Sequence, residues 1–351
     1  MSESRYLFFI VTALTLFGLL MIGTSSMVDA ARNFGDKWYY LKLQSMWTII
    51  AFLAMIFFSR FDHRKLQKYA FGLLAVSLVL LVAVLIPGIG VKLLGARRWI
   101  NIGISIQPSE ITKLFSAVYF SSLLTKPGKH FQFIGVLGLI CGLIMLEPDL
   151  GTTLVIIGMS MLLYFGSGGS LLHLGTFSAV GLILILLMIV VSPYRLNRLK
   201  SYMDVSHDPL GSSYQIRQAL IALGSGGVFG QGLGQSKQKY TFLPETTTDS
   251  IFAVIGEELG LFGTAAILLV YLILINKGLK VAKSAKSKFS SNLAISLTAM
   301  IGFQALINIS AITALVPLTG IPLTFISYGG SSLLIMLSAA GILINIARNY
   351  E

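Results

Sequence analysis

Charge is scarce in this chain of 351 residues: 11% of them are Asp, Glu, Lys or Arg, while 55% are hydrophobic. Soluble domains carry roughly 25% charged residues, so a water-soluble globule is excluded and a chain that crosses a bilayer many times is expected. The mean hydropathy of +0.82 agrees. Cysteine is nearly absent. The one thiol, Cys141, lies in an apolar run, which excludes a disulfide framework and a cysteine-based metal site. Histidine is also sparse: His63, His130, His173 and His207 are scattered without metal-ligand spacing. Acidic groups number 14 against 26 Lys and Arg, but the net +12 does not point to nucleic acid. The cations sit between apolar stretches, where membrane topology explains them, and no nucleic-acid partner is expected.

Apolar runs are what the chain has in abundance. They occupy about 6–28, 43–59, 70–88, 108–125, 132–147, 150–167, 171–193, 250–276, 293–315 and 329–348, each near the roughly 20 residues that a spanning helix needs. The sequence therefore predicts an all-α polytopic membrane protein of about ten helices. A single domain over 1–351 is expected, with the long loop 194–249 between the seventh and eighth spans. The first run could pass for a secretory signal, since Arg5 precedes it and Val28-Asp29-Ala30 has small residues around a cleavage-like site. Its length from Tyr6 to Met27 exceeds the roughly 7–15 apolar residues of a signal core, so a membrane span is expected.

Cations set the orientation. Short segments on one side carry Arg5, Arg60, Arg64, Lys65, Lys68, Lys126, Lys129, Lys277, Lys280, Lys283, Lys286, Lys288 and Arg348; those on the other carry Arg32, Lys37, Lys42, Lys92, Arg97 and Arg98. The positive-inside rule then places both termini in the cytoplasm and the 194–249 loop outside.

Four of the carboxylates, Glu245, Asp249, Glu257 and Glu258, fall at the start of the eighth span. An ionised side chain costs about 2.5–3.5 kcal/mol at a membrane helix centre, so such a cluster implies chemistry or tight pairing. Asp249 suits two roles: a helix N-cap, or a base kept ionised by the helix dipole at headgroup level. Glu257 lies about 80° around the helix from Asp249 and Glu258 about 180°, which makes Glu257 the better candidate for a shared wall. Pairing of both glutamates with basic residues is the structural alternative. Glu110 and Lys113, at i,i+3, are suited to an ion pair, which is their structural alternative, while Arg97, Arg98, Trp99 and Gln107 just before them form with Lys113 a cationic mouth for an anionic headgroup. Glycines 224, 226, 227, 230, 232 and 234 lack the strand-to-helix context of a phosphate loop, and close packing explains them better. Glu147 and Asp149 flank Pro148 at a tight corner, where capping of the next helix accounts for at least one of them.

At these residues the chain resembles the SEDS family, the shape, elongation, division and sporulation proteins that include FtsW, RodA and SpoVE. The resemblance runs over about 5–349 and rests on Gly95-Ala96-Arg97-Arg98-Trp99-Ile100, Gln107-Pro108-Ser109-Glu110 with Lys113, and Pro148-Asp149-Leu150-Gly151-Thr152. It continues in Asp208-Pro209-Leu210-Gly211, Tyr214-Gln215, Phe242-Leu243-Pro244-Glu245, Asp249, Gly256-Glu257-Glu258-Leu259-Gly260 and Ile326-Ser327-Tyr328-Gly329-Gly330-Ser331-Ser332. The stretch Gly230–Lys239 is closer to the FtsW or SpoVE type than to RodA. The resemblance implies a peptidoglycan glycosyltransferase of the bacterial cytoplasmic membrane. Such an enzyme polymerises lipid II at the outer face together with a class B penicillin-binding protein. It also implies that Asp249 matches the essential aspartate, and Glu110 and Lys113 the functional polar pair.

Two departures from the family pattern stand out. Members often carry His ahead of Thr-Asp or Asn-Asp and Phe after it. Here Thr247-Thr248-Asp249 is followed by Ser250, so no imidazole relay to Asp249 is expected. Thr324 replaces the usual Pro before the Ser-Tyr-Gly-Gly segment. The mechanism expected from these residues has Asp249 as base. Arg97, Arg98 and Lys113 hold the pyrophosphate, with Arg195 and Arg198 as further cations, and Glu110, Glu245 and Glu257 line the substrate site. A divalent cation is compatible with this chemistry. Two rival functions are a lipid-precursor flippase, which needs charges along a path open to both faces, and a non-catalytic division scaffold.

Overall fold

The computed structural model describes residues 2–93, 96–101, 103–170, 172, 175–176, 179, 181, 212–240 and 244–350. Helices dominate it: α1 (Glu3–Phe34), α2 (Tyr39–Arg60), α3 (Arg64–Leu85), α4 (Pro108–Leu123), α5 (His130–Leu146), α6 (Leu150–Gly166), α7 (Ser212–Ser225), α8 (Ile251–Ser284), α9 (Lys288–Ile312) and α10 (Gly330–Arg348). By length and composition α1, α2, α3, α8, α9 and α10 can each cross a membrane, and α5 and α6 are shorter apolar helices. The chain is thus a multi-pass helical protein. The seventh run, 171–193, falls largely outside the described residues, as does 194–211 with Arg195 and Arg198.

Burial sorts these helices into centre and rim. The apolar windows of α10 and α9 are 83% and 72% buried, those of α2 and α3 only 28%, so α9 and α10 form the middle and α2 and α3 turn side chains such as Phe71 and Val79 outward. In lipid an outward apolar face is the stable arrangement. Gly18 lets α1 lie directly on the backbone of Ile326, because a Cβ there would stand 2.6 Å from the Ile326 Cα. That contact holds the 319–328 segment against the bundle.

A small antiparallel sheet adds to the all-α expectation. Its strands β1 (Gly90–Leu93), β2 (Ala96–Asn101) and β3 (Ser105–Ile106) lie in that order between α3 and α4, with Val91 opposite Trp99 and a bulge before Lys92. The apolar-run pattern hides it, because short strands joined by turns carry no helical period.

The glycine-rich stretch is built into a helix. At Gly260 the backbone leaves helical geometry (φ 67°, ψ −162°), which breaks the α8 ladder. The carbonyls and amides freed there are exchanged with the loop. Gln231 N donates to Glu257 O (2.9 Å) and Gly232 N to Glu258 O (3.0 Å), while Leu261 N and Phe262 N donate to Gly227 O and Val228 O (2.9 and 3.3 Å). A Cβ on Gly226 would stand 2.0 Å from the Gly256 carbonyl oxygen and one on Gly230 2.2 Å from that of Glu258, so these two serve close packing, as expected, whereas Gly227, Gly232 and Gly234 supply left-handed backbone.

Candidate functional site

Asp249 sits in the turn that feeds α8. Glu245 opens the turn in left-handed geometry (φ 52°), and its carbonyl accepts from Thr248 N (3.2 Å) and Ser250 N (3.1 Å). The N-cap of α8 is Ser250, so the carboxylate of Asp249 is not the cap. Its carbonyl and the two before it are all gripped from elsewhere in the chain. Tyr328 N donates to Thr247 O (2.8 Å), Ser327 Oγ to Thr248 O (2.5 Å) and Asn308 Nδ2 to Asp249 O (2.9 Å). These bonds hold the backbone of the turn without using the Asp249 carboxylate.

The carboxylate itself is half-buried. Thr248 Oγ1 lies 3.2 Å from Oδ1, and Gln215 Nε2, on α7, lies 3.5 Å from Oδ2 and 3.1 Å from the Ser250 hydroxyl. Burial first, and the charge of Glu245 second, push the Asp249 carboxyl up to about 6, against hydrogen bonds that pull it down. A carboxylate poised there is ionised at neutral pH yet basic enough to take a proton. Glu245 is exposed, and its Oε2 accepts from Thr248 Oγ1 (2.8 Å). The two departures from the family pattern find uses here: Ser250 is a Gln215 partner, and Thr324 Oγ1 donates to Ile301 O (3.3 Å) on α9.

Other candidates are placed differently from the sequence expectation. Lys113 and Glu110 are 1% and 2% exposed. The ammonium meets both Glu110 oxygens (2.8 Å each) and the Gln304 amide oxygen, and none of these contacts is with an open surface. Glu257 is also buried: its carboxylate accepts from Ser236 Oγ (2.5 Å) and Lys237 N (2.9 Å), which ties the glycine-rich loop to α8 rather than sharing a wall with Asp249. Glu258 pairs with Lys239 at 2.7 Å, as the pairing alternative anticipates. Arg98 on β2 donates to the carbonyls of Glu147 (2.9 Å) and Pro148, and Arg97 reaches Leu85 O at 3.5 Å. Arg195 and Arg198 lie outside the described residues.

The corner after α5 is firmly built. Asp149 caps α6, accepting from Thr152 N (3.0 Å), and also takes Gln107 Nε2 (3.1 Å) and Ser109 Oγ (3.3 Å). Glu147 is fully buried, and among the described residues neither of its carboxylate oxygens has a hydrogen-bond partner. Among the described residues no three His, Cys, Asp or Glu side chains are placed to hold a metal ion.

Gln304 and Asn308 are bracing residues near this turn that the sequence reading passed over. One turn apart on α9, they hold the 321–322 backbone: Gln304 Nε2 donates to Pro322 O (3.1 Å) and Asn308 Nδ2 to Ile321 O (2.8 Å). Two amides at i,i+4 inside an apolar run are a detectable signal, since buried polar groups in a span need partners. Asn308→Leu should leave the Asp249 and Ile321 carbonyls unpaired, at roughly 1–3 kcal/mol each. Scanning fluorimetry in detergent should show a clear fall in melting temperature; an unchanged one would mean that the turn holds itself.

Comparison with known proteins follows the same lines. Stage V sporulation protein E of Bacillus subtilis (strain 168) is 40% identical over 99% of this chain and 97% of its own. A probable peptidoglycan glycosyltransferase FtsW from Trichlorobacter lovleyi is 39% identical over 98% of this chain and 93% of its own. Among solved structures, a chain from a peptidoglycan synthase complex, described for its coordination of polymerization and crosslinking, superimposes with a TM-score of 0.80. It is 25% identical and covers 98% of this chain and 97% of that one. The rod shape determining protein RodA of Thermus thermophilus gives 0.72 at 25% identity, over 98% and 96%. A family model for the FtsW, RodA and SpoVE cell cycle proteins matches residues 4–351, and the chain belongs to that family.

Proposed function

We propose that this protein is a peptidoglycan glycosyltransferase that polymerises lipid II into glycan strands at the outer face of the bacterial cytoplasmic membrane, in division or elongation. The observation that carries this is Asp249: a carboxylate pushed up to about 6, kept off the helix cap, on a turn whose carbonyls are gripped from α9 and the 327–328 backbone. Its relatives' names supply the reaction.

A sugar hydroxyl is a weak nucleophile. As its oxygen attacks the anomeric carbon, Asp249 takes its proton; the bond from that carbon to the pyrophosphate oxygen breaks, and the electron pair leaves with undecaprenyl pyrophosphate. The α-linked donor becomes a β-linked glycan, so one in-line displacement with inversion suffices and no covalent intermediate is required. The negative leaving group calls for cations. Arg97, whose hydrogen bonding among the described residues is one long contact to a backbone carbonyl, is the first choice, joined by Arg195 and Arg198. Arg98 positions the 147–148 corner. Glu245 tunes Asp249 through its charge.

A class B penicillin-binding protein is the proposed partner, and both termini are cytoplasmic. Purified protein should polymerise lipid II, and more strongly with that partner present; no product under either condition would favour the scaffold. Orientation is checked with single cysteines at the exposed positions Gln235 and Lys286 in a Cys141→Ser background. The first should label from outside intact cells and the second only after permeabilisation. The opposite pattern would invert the topology.

A further inference from the structure

The turn between α1 and α2 carries a row of aromatic rings that leads to Asp249. Phe34 and Tyr39 stack at 3.9 Å with 7° between planes; Tyr40 meets both edge-on, at 5.7 and 5.5 Å; and Tyr40 meets Tyr328 at 5.3 Å. Tyr328 is the residue whose N–H holds Thr247 O, two positions from Asp249. At the outer end the rings are open: Phe34 is 50% exposed and Tyr39 37%. The turn is ordered. Gly35 closes α1 in left-handed geometry (φ 70°), Asp36 accepts from Trp38 N (3.0 Å), and Lys42 pairs with Asp36 at 2.7 Å.

We propose that Phe34, Tyr39 and Tyr40, continued inward by Tyr328, form a subsite for a β-linked sugar chain that runs to Asp249. The inference rests on the glycosyltransferase reading and names where that enzyme holds its glycan. A pyranose ring has an apolar C–H face and a rim of hydroxyls. The C–H face suits the negative face of an aromatic ring, and the rim needs acceptors and donors beside it. Both are present. Tyr40 lies within electrostatic reach of the Asp29 and Glu245 carboxylates, and neither Tyr39 nor Tyr40 has a hydrogen bond on its hydroxyl among the described residues. A lipid tail would match the rings but not Asp29, Arg32, Asp36 and Lys37 interleaved with them. Remote contacts of this sort keep a growing strand near the reacting centre between additions.

The test uses the full-length protein in nanodiscs and a β-1,4-linked N-acetylglucosamine tetramer. Binding is read by saturation-transfer NMR and by fluorescence of Trp38, itself 36% exposed beside the rings. The tetramer should bind wild type, and Tyr39→Phe, which keeps the ring face but loses the hydroxyl, should bind it more weakly than wild type and more tightly than the leucine variant below. Tyr39→Leu, with Phe34→Leu as a second variant, should weaken binding by about tenfold and shorten the polymerised strands, since the ring face is lost while apolar bulk is kept. Rings that merely anchor the turn at the membrane surface would tolerate leucine, so unchanged binding and strand length in both leucine variants overturn the subsite. Asp249→Asn should still bind the tetramer. A protein that binds sugar yet never polymerises lipid II sinks the catalytic reading alone, and one that polymerises but gives no tetramer signal sinks the subsite alone.

Discussion

Asp249→Asn should abolish lipid II polymerisation while leaving membrane insertion and partner binding near normal. The amide keeps the shape of the carboxylate, and its one oxygen can still accept from either Gln215 or Thr248, but it cannot take a proton. General-base catalysis contributes roughly 10²–10⁴-fold, so the loss should be at least about 10²-fold. The substitution is nearly neutral for folding, because the turn is held through main-chain carbonyls that it does not touch. The pH dependence follows from the same group. Asp249 acts as a base only when ionised, and its carboxyl is raised to about 6. Rate should therefore be flat above that pH and fall by about tenfold per unit below it. Glu245→Gln removes a neighbouring negative charge that helps raise Asp249, so the acid limb should move to lower pH. Turnover within a few-fold of wild type in folded Asp249→Asn would move the base elsewhere.

Lys113→Met should act mainly on stability. The ammonium is 1% exposed and neutralises Glu110, 2% exposed, while holding the Gln304 side chain that in turn holds Pro322 O. Removing one partner of a buried pair leaves the other charge uncompensated, a loss of about 3–5 kcal/mol. Replacing both, as in Glu110→Gln with Lys113→Met, should recover most of it, because the desolvation of two ions is avoided together. Unfolding in detergent measures both variants, and polymerisation is assayed beside it. If Lys113→Met is as stable as wild type and inactive, Lys113 is a substrate cation as the sequence predicts, and the bracing role is wrong.

Much of this protein is legible along the chain. The apolar runs other than 171–193, which lies largely outside the described residues, each map onto a helix, because a bilayer forces the backbone to satisfy its own hydrogen bonds and local composition then decides. Asp149 as a helix cap, the i,i+3 pair and the close-packed glycines are visible from spacing, since each depends on neighbours a few residues away.

Only tertiary structure decided which partners the rare charges meet. Glu257 resembles Asp249 in one dimension, but the loop that folds back across the Gly260 kink captures its carboxylate. Lys113 looks like a cation at an open mouth until α9 brings Gln304 against it. The grip on residues 247–249 comes from positions 59 to 81 residues farther on, and the rings beside them come from the first turn of the chain outside α1. Sequence period reports a residue's environment along one helix. Which polar groups meet depends on how helices pack, and a buried charge takes its role from the partners that packing supplies.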